Sequence, residues 1–566
     1  MVCTVIPHWR GSLSFKKDRS SILVALPAVF VLTLCSVLPL CWMCWTVAAN
    51  PQVRAELSFS AFRFELLGRT LLYNGTVAII ATAMGLPAGY VLGRGRGMVA
   101  RLLWVLLPAA LLLPSLSYAY GWAQFVRMYR HLVLPWGITF RPNGAADILR
   151  CIWSLAAWLW AVPAGLIGLA LRRMDTNVQQ QAVLDGALHW VTFRQLLGPI
   201  IASLAIVTIL ATQEFAVYEP TGISVVATEV RMVFDTGAMS SPDNLITQSG
   251  ALGGGFASSD QPERAAAAVA TATPLLAVTI LLAIAAAWGA GQTSGSETVA
   301  TGDWPPVLDV SKVTVAITIA LLLLNIGVPV LSLIRSLYVP LSPLTMWREF
   351  GPKVQGAILV AVEASAFALV AGFSSAGRWI RGSLALAGAS FLIGGQLLAI
   401  ALIRIWNRPG LYWGYDSSIV PLIAYAGRFG WLALAAGRAT WTRPWREMRD
   451  VASADGASAF QTAFWVIWPL AWPTLLAGGL VVGALSMTEV PATVLLMPEH
   501  PQVLTPTLMT WVHMVRYDAM IEASLIMMAT VIVPALLAVI LTGIGLRALK
   551  AAMVGSPTAQ TVSQRA

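Results

Sequence analysis

Apolar residues fall along this chain in long blocks. A helix needs about 20 such residues to cross the hydrocarbon core of a bilayer. Blocks of that kind lie near 22–47, 70–92, 102–126, 150–171, 199–218 and 265–288, and again near 313–337, 354–376, 383–405, 417–437, 469–490 and 519–546. The pattern predicts an all-α membrane protein with about twelve transmembrane helices, arranged as two tandem sets of six. Residues 289–311 (GAGQTSGSETVATGDWPPVLDVS) interrupt it with a polar run rich in Gly, Ser and Thr, including Pro305 and Pro306. They read as a cytoplasmic linker between a first domain, 1–288, and a second, 312–566.

Finer features follow from the same pass. The first block is preceded by Arg10, Lys16, Lys17 and Arg19, as in a signal peptide. It is longer than a signal peptide's apolar core of about 7–15 residues, so it reads as a retained helix. The segment 219–264 holds SSPDNLITQSGALGGGFASSDQPER and is expected to be a flexible outer loop. Tyr118, Tyr120 and Trp122, following Pro114, are expected in an interfacial aromatic belt.

Composition sharpens the picture. Of 566 residues, 57% are apolar and 11% charged, whereas a soluble domain carries roughly a quarter charged residues. The surface this chain presents therefore faces lipid. Its net charge of +10 is scattered between apolar blocks, which argues against nucleic acid as a partner. Lys and Arg collect in cytoplasmic loops. A cytoplasmic N-terminus places Arg94, Arg96 and Arg101, Arg172, Arg173 and Arg194, Arg378 and Arg381, and Arg438, Arg443, Arg446 and Arg449 inside, with the C-terminal Arg547, Lys550 and Arg565. Of the five cysteines, Cys41 and Cys44 form a C-x-x-C. It lies inside an apolar block, without the polar setting that redox or metal chemistry requires.

The strongest signal is an internal repeat. Asp185-Gly186-Ala187 is followed by Pro199, and Asp455-Gly456-Ala457 by Pro469, with 13 residues from Gly to Pro in both and 270 between copies. Thr192 and Thr462 match at that offset, as do Glu219 and Glu489. Each copy falls between the fourth and fifth block of its half, on the cytoplasmic side. It reads as a surface helix, a glycine turn, an amphipathic helix and a proline opening the next span.

QQAVLDGALHWVTFRQLLGP (180–199) and DVASADGASAFQTAFWVIWP (450–469) resemble the EAA loop of ABC-importer permeases. Gly186, Pro199, Gly456, Pro469, Ala182 and Ala452 fall in register. The opening Glu-Ala is replaced by Gln180-Gln181 and Asp450-Val451, and the I-x-L positions differ in both copies. Thr488-Glu489-Val490-Pro491-Ala492-Thr493-Val494-Leu495-Leu496 resembles a stretch of fused permeases of the iron(III) type, close to thiamine, phosphonate and polyamine systems. Its counterpart, Glu214 to Thr221, departs from that pattern.

The resemblance implies a type I fold in which one chain supplies both transmembrane domains in a bacterial inner (plasma) membrane, with both termini cytoplasmic. It implies coupling to two copies of a cytoplasmic ABC ATPase through Gln180, Ala182, Asp185, Gly186, Pro199, Asp450, Ala452, Asp455, Gly456 and Pro469. It also implies an external solute-binding protein and, as first substrate, iron(III). ATP is used by the partners. The chain is expected to be no enzyme and to bind no cofactor itself: none of its five Lys follows a Gly, so it has no phosphate-binding loop. A secondary transporter is disfavoured because several such folds carry inverted repeats, whereas these two halves are parallel.

Charged residues within spans are rare and costly, so each is a functional candidate. Glu363 and Arg428 fall near mid-membrane and are expected to pair or to face a wet cavity. Glu219 and Glu489, 20 residues after their prolines, lie about 30 Å along a helix. That puts them near the outer face, where they meet solute or binding protein, or anchor a helix end.

Overall fold

The computed structural model describes residues 19–49, 61–95, 97–129, 144–174, 176–236, 261–291, 310–337, 343–374, 380–439, 443–496, 501–514 and 516–554. Most of these residues are helical, and no strand is found among them. The first half contains α1 (Arg19–Leu32), α2 (Leu38–Ala49), α3 (Ala61–Arg94), α4 (Met98–Leu111), α5 (Ser115–Met128), α6 (Ala145–Leu159), α7 (Ala161–Arg173), α8 (Thr176–Leu184), α9 (Leu188–Thr212), α10 (Val226–Thr236) and α11 (Gln261–Gly291). The second contains α12 (Lys312–Leu322), α13 (Val328–Arg335), α14 (Pro343–Ser374), α15 (Ile380–Ile393), α16 (Gly395–Trp406), α17 (Tyr412–Tyr415), α18 (Ile419–Ala439), α19 (Arg443–Ala454), α20 (Ala459–Gln461), α21 (Trp468–Thr488), α22 (Thr493–Leu496), α23 (Leu504–His513) and α24 (Tyr517–Val554).

Ten helices among the described residues are long and apolar enough to span a membrane, or eleven if one bent pair is counted as a span. The chain is therefore a multi-span helical membrane protein with fewer straight spans than the twelve expected. Two apolar blocks account for the difference. The 102–126 block breaks between α4 and α5 at Pro114, where the ring removes a helical N–H donor. The 383–405 block bends by 97° between α15 and α16. There Gly394 adopts φ +87°, a left-handed conformation that a Cβ disfavours.

The two halves repeat their packing. α3 lies on α7 and α9, and α9 on α11; correspondingly α14 lies on α18 and α21, and α21 on α24. The first helix of each half crosses to pack on the other half. α1 packs on α14, while α12 packs on α3 and α13 on α5. Each of these first helices also contains a π-helical turn, Thr33–Val37 and Leu323–Gly327. Such a turn takes a carbonyl out of the ordinary helical ladder. The third residue of each turn uses its carbonyl across the boundary: Ser390 Oγ donates to Cys35 O at 3.3 Å, and the Tyr118 hydroxyl donates to Asn325 O.

Three further expectations change. Tyr118 and Trp122 are buried rather than placed in an interfacial belt, and Tyr118 also donates to Ala157 O at 2.9 Å. The outer segment is folded as far as Thr236, because Val226, Val230 and Val233 form one apolar face of α10 in a core with Ala265 and Ala268. Residues 237–260 lie outside the described residues. So do 292–309, which make up most of the expected linker; α11 itself continues to Gly291.

Tyr118→Phe removes the single hydroxyl proton shared between Ala157 O and Asn325 O, one carbonyl in each half, and is expected to cost about 1–3 kcal/mol. Thermal unfolding in detergent checks this. A melting temperature equal to that of the unaltered chain would contradict the cross-boundary role.

Candidate functional site

Two sets of residues stand out: the pair of glycine turns, and a buried charge cluster at the far ends of the helices that leave them.

The turns are built alike. α8 ends where Ala187 N donates to Ala182 O at 2.8 Å and Gly186 N to Val183 O at 3.1 Å. α19 ends where Ala457 N donates to Ala452 O at 3.0 Å and Gly456 N to Ser453 O at 3.1 Å. Gly186 and Gly456 have φ +66° and +81°, the left-handed geometry that lets a glycine close a helix and satisfy its last carbonyls. Ala182 and Ala452 are buried beneath the turns, as are Thr192 and Thr462. Gln180, Asp185, Gly186, Asp450, Asp455 and Gly456 are exposed. Large apolar side chains are exposed beside each turn: Leu184 (86%), Trp190 and Phe193 at the first, Val451 (63%), Phe460 and Trp465 at the second.

The prolines do not occupy equivalent places. Pro199 lies buried inside α9, which runs unbroken from Leu188 to Thr212. Pro469 is exposed in the first turn of α21, after a π-helical stretch, Thr462–Ile467. Neither proline stands at the start of its span: Pro199 lies within Leu188–Thr212, and Pro469 lies within Thr462–Thr488, in the first α-helical turn after the π-helical stretch. In the first copy the surface helix and the span are one helix, 25 residues long.

At the other end of α21 stands Glu489. Its Oε2 lies 2.9 Å from Arg428 Nε, in an ion pair whose side chains are 5% and 6% exposed. Glu489 Oε1 accepts from Ala492 N at 3.3 Å, the Thr493 hydroxyl donates to Glu489 O, and Thr493 Oγ1 lies 2.6 Å from the Tyr425 hydroxyl. The Glu-Val-Pro-Ala-Thr stretch is thus a tight turn closed on its own carboxylate. Gly395 lies against it. A Cβ at Gly395 would stand 2.2 Å from Glu489 Oε1 and 3.2 Å from Arg428 Nη1.

Arg428 therefore pairs with Glu489 and not with Glu363. Glu363 is half-exposed on α14 and has no ion pair among the described residues. The matching of Glu219 with Glu489 also fails in space. α9 ends at Thr212, so the acid that follows its span is Glu214, which is buried, accepts from Ser115 Oγ at 3.0 Å, and interacts electrostatically with Glu489 and Arg428. Thr212-Gln213-Glu214 and Thr488-Glu489 occupy equivalent slots at the ends of α9 and α21. A fixed offset of 270 pairs Glu489 with Glu219, whereas Glu214 and Glu489 stand 275 apart; the helix ends at Thr212 and Thr488 are what bring Glu214 into view.

Glu219 joins a separate network. Its carboxylate lies 2.6 Å from Arg231 Nη1 and 3.3 Å from His513 Nε2. Burial raises its pKa, opposed by the nearby Arg231 and His513.

Comparison with family models, with curated proteins and with solved structures finds no match.

Arg428→Met alone leaves the Glu489 carboxylate buried without its cation and is expected to destabilise the fold by about 3–5 kcal/mol. The double change Arg428→Met/Glu489→Gln is expected to recover most of that loss. Melting of the single and double variants in detergent checks the coupling; strictly additive losses would show that the pair does not interact.

Proposed function

We propose that this chain is the membrane-spanning permease of an ATP-driven importer of the ABC type. The observation that carries the proposal is a matched connection in each half. A left-handed glycine turn flanked by exposed apolar side chains leads into one helical run, and that run ends at a buried carboxylate. α9 joins the Gly186 turn to Glu214; α20, the π-helical stretch and α21 join the Gly456 turn to Glu489. Each run extends about 38 Å or more, so it joins the exposed turn directly to the buried cluster.

In this reading the turns are handles for two copies of a cytoplasmic ATPase. Leu184 and Val451 enter grooves on the ATPases, closure of the ATPases on ATP draws the handles together, and the helices lever the two halves apart at their far ends. Arg231, Glu219 and His513, beyond the ends of those helices, belong to the face that receives a solute-binding protein. The membrane is the bacterial plasma membrane, with both termini in the cytoplasm and the Arg-rich loops beside them. Iron(III) is the proposed solute on the likeness of the Glu489–Leu496 stretch alone. In this reading recognition of the ion is assigned to the binding protein.

Leu184→Asp combined with Val451→Asp removes the apolar tip of each handle, and both side chains are exposed. ATP-driven uptake in proteoliposomes carrying the assembled complex is expected to fall about tenfold or more, with insertion unchanged. Undiminished uptake by the double variant would contradict the coupling role.

A further inference from the structure

Each half breaks one pair of helices at a tip, and each tip lies against the other half. The α15–α16 tip is held by Gln213, at the end of α9, whose Nε2 donates to Phe391 O at 3.2 Å and Leu392 O at 3.1 Å. The α4–α5 tip places Leu112 in a core with Ala484 and Met487 of α21. A carboxyl group seats the second helix of each broken pair. Ser115, at the start of α5, donates to Glu214, and Gly395, at the start of α16, lies directly against Glu489.

Discontinuous helices occur at membrane depth only where protein buries them or where they line a passage. In this structure both breaks meet at one seam between the halves. The seam is closed and incompletely satisfied: Arg428 Nη1, Gln396 Nε2 and Gln213 Oε1 are buried without a hydrogen-bond partner. Unmatched buried atoms also occur elsewhere among the described residues, as at Ser36 Oγ and Trp160 Nε1; what sets the seam apart is that here they stand beside two helix breaks and two buried carboxyl groups.

We propose that this seam is the closed gate of the translocation pathway, with Glu214 and Glu489 as its two latches, a role that rests on the permease reading above. The latches differ in strength. Glu489 is held by a guanidinium and a backbone N–H, whereas Glu214 has one hydroxyl, and α7, which corresponds to α18, carries no basic residue before Arg172. Opening therefore begins at Glu214. Because α9 ends two residues before Glu214, motion of the first handle acts on the weaker latch directly.

The test uses the full chain alone in liposomes and planar bilayers, without ATPase or nucleotide, and reads the leak of K⁺ and Cl⁻. The unaltered chain is expected to be tight. Glu214→Ala/Glu489→Ala is expected to leak about tenfold more or higher, the loss that follows from removing one charge-assisted contact from a closed–open equilibrium. Glu214→Gln, which keeps an acceptor for Ser115, is expected to stay tight.

Thiol labelling provides a second readout, in a background without native cysteines. Gln213→Cys is expected to react with a membrane-impermeant thiol reagent about tenfold faster once Glu214→Ala is added. A double variant that elutes and melts as a folded protein, yet matches the unaltered chain in both leak and labelling, overturns the gate. Leak and labelling need no ATPase, so that result is distinct from failure of the permease reading, which shows as absence of ATP-driven uptake by the unaltered chain in its complex.

Discussion

A bilayer offers no water to a broken helix or a buried charge, so each must be satisfied by the protein itself. In this chain that demand concentrates at one place. The breaks after α4 and α15, the carboxyl groups of Glu214 and Glu489 and the guanidinium of Arg428 lie at the seam where the halves meet. The rest of the fold serves the seam. α9 and α21 deliver the carboxyl groups to it, and α18 delivers the arginine. The crossed first helices close the structure from both sides, with Cys35 O reaching Ser390 and Asn325 O reaching Tyr118.

The same arrangement accounts for the asymmetry between the halves. Packing repeats pair by pair, yet among the described residues only the second half carries a cation at the seam. A buried ion pair adds little net stability relative to apolar packing, but breaking one is expensive. Arg428 therefore fixes Glu489 in place more than it strengthens the fold, whereas Glu214 is held by the Ser115 hydroxyl. Glycine has a defined use at two kinds of position. At Gly186 and Gly456 it supplies the left-handed cap that ends a surface helix, and at Gly395 it allows the Glu489 carboxylate to approach the backbone.

Much of this was legible in the chain itself. Apolar blocks of spanning length found the membrane helices, and the Asp-Gly-Ala repeat found both turns, because a glycine cap is a local event with a local signature. What could not be read was non-local. Nothing around 312–335 or 22–47 says that these helices cross to the other half; the π-helical turns that serve the crossing leave no composition signal. Hydropathy merges α15 with α16 because two uncharged glycines, Gly394 and Gly395, are too few to interrupt the apolar run on either side. The partner of Arg428 was misassigned because counting residues along spans gives depth but not azimuth, and Glu214 was passed over because the two halves differ in length between turn and seam.

The central claim is that two matched handles, each joined by one helical run to the seam, move together under an external motor. Spin labels at His189 and Ala454, both exposed beside their turns and outside the apolar tips, report the separation of the handles in the complex assembled with the proposed ATPases in a bilayer. The claim predicts a shorter distance when ATP is bound than when the nucleotide site is empty. An unchanged distance in a complex that transports its solute would contradict it.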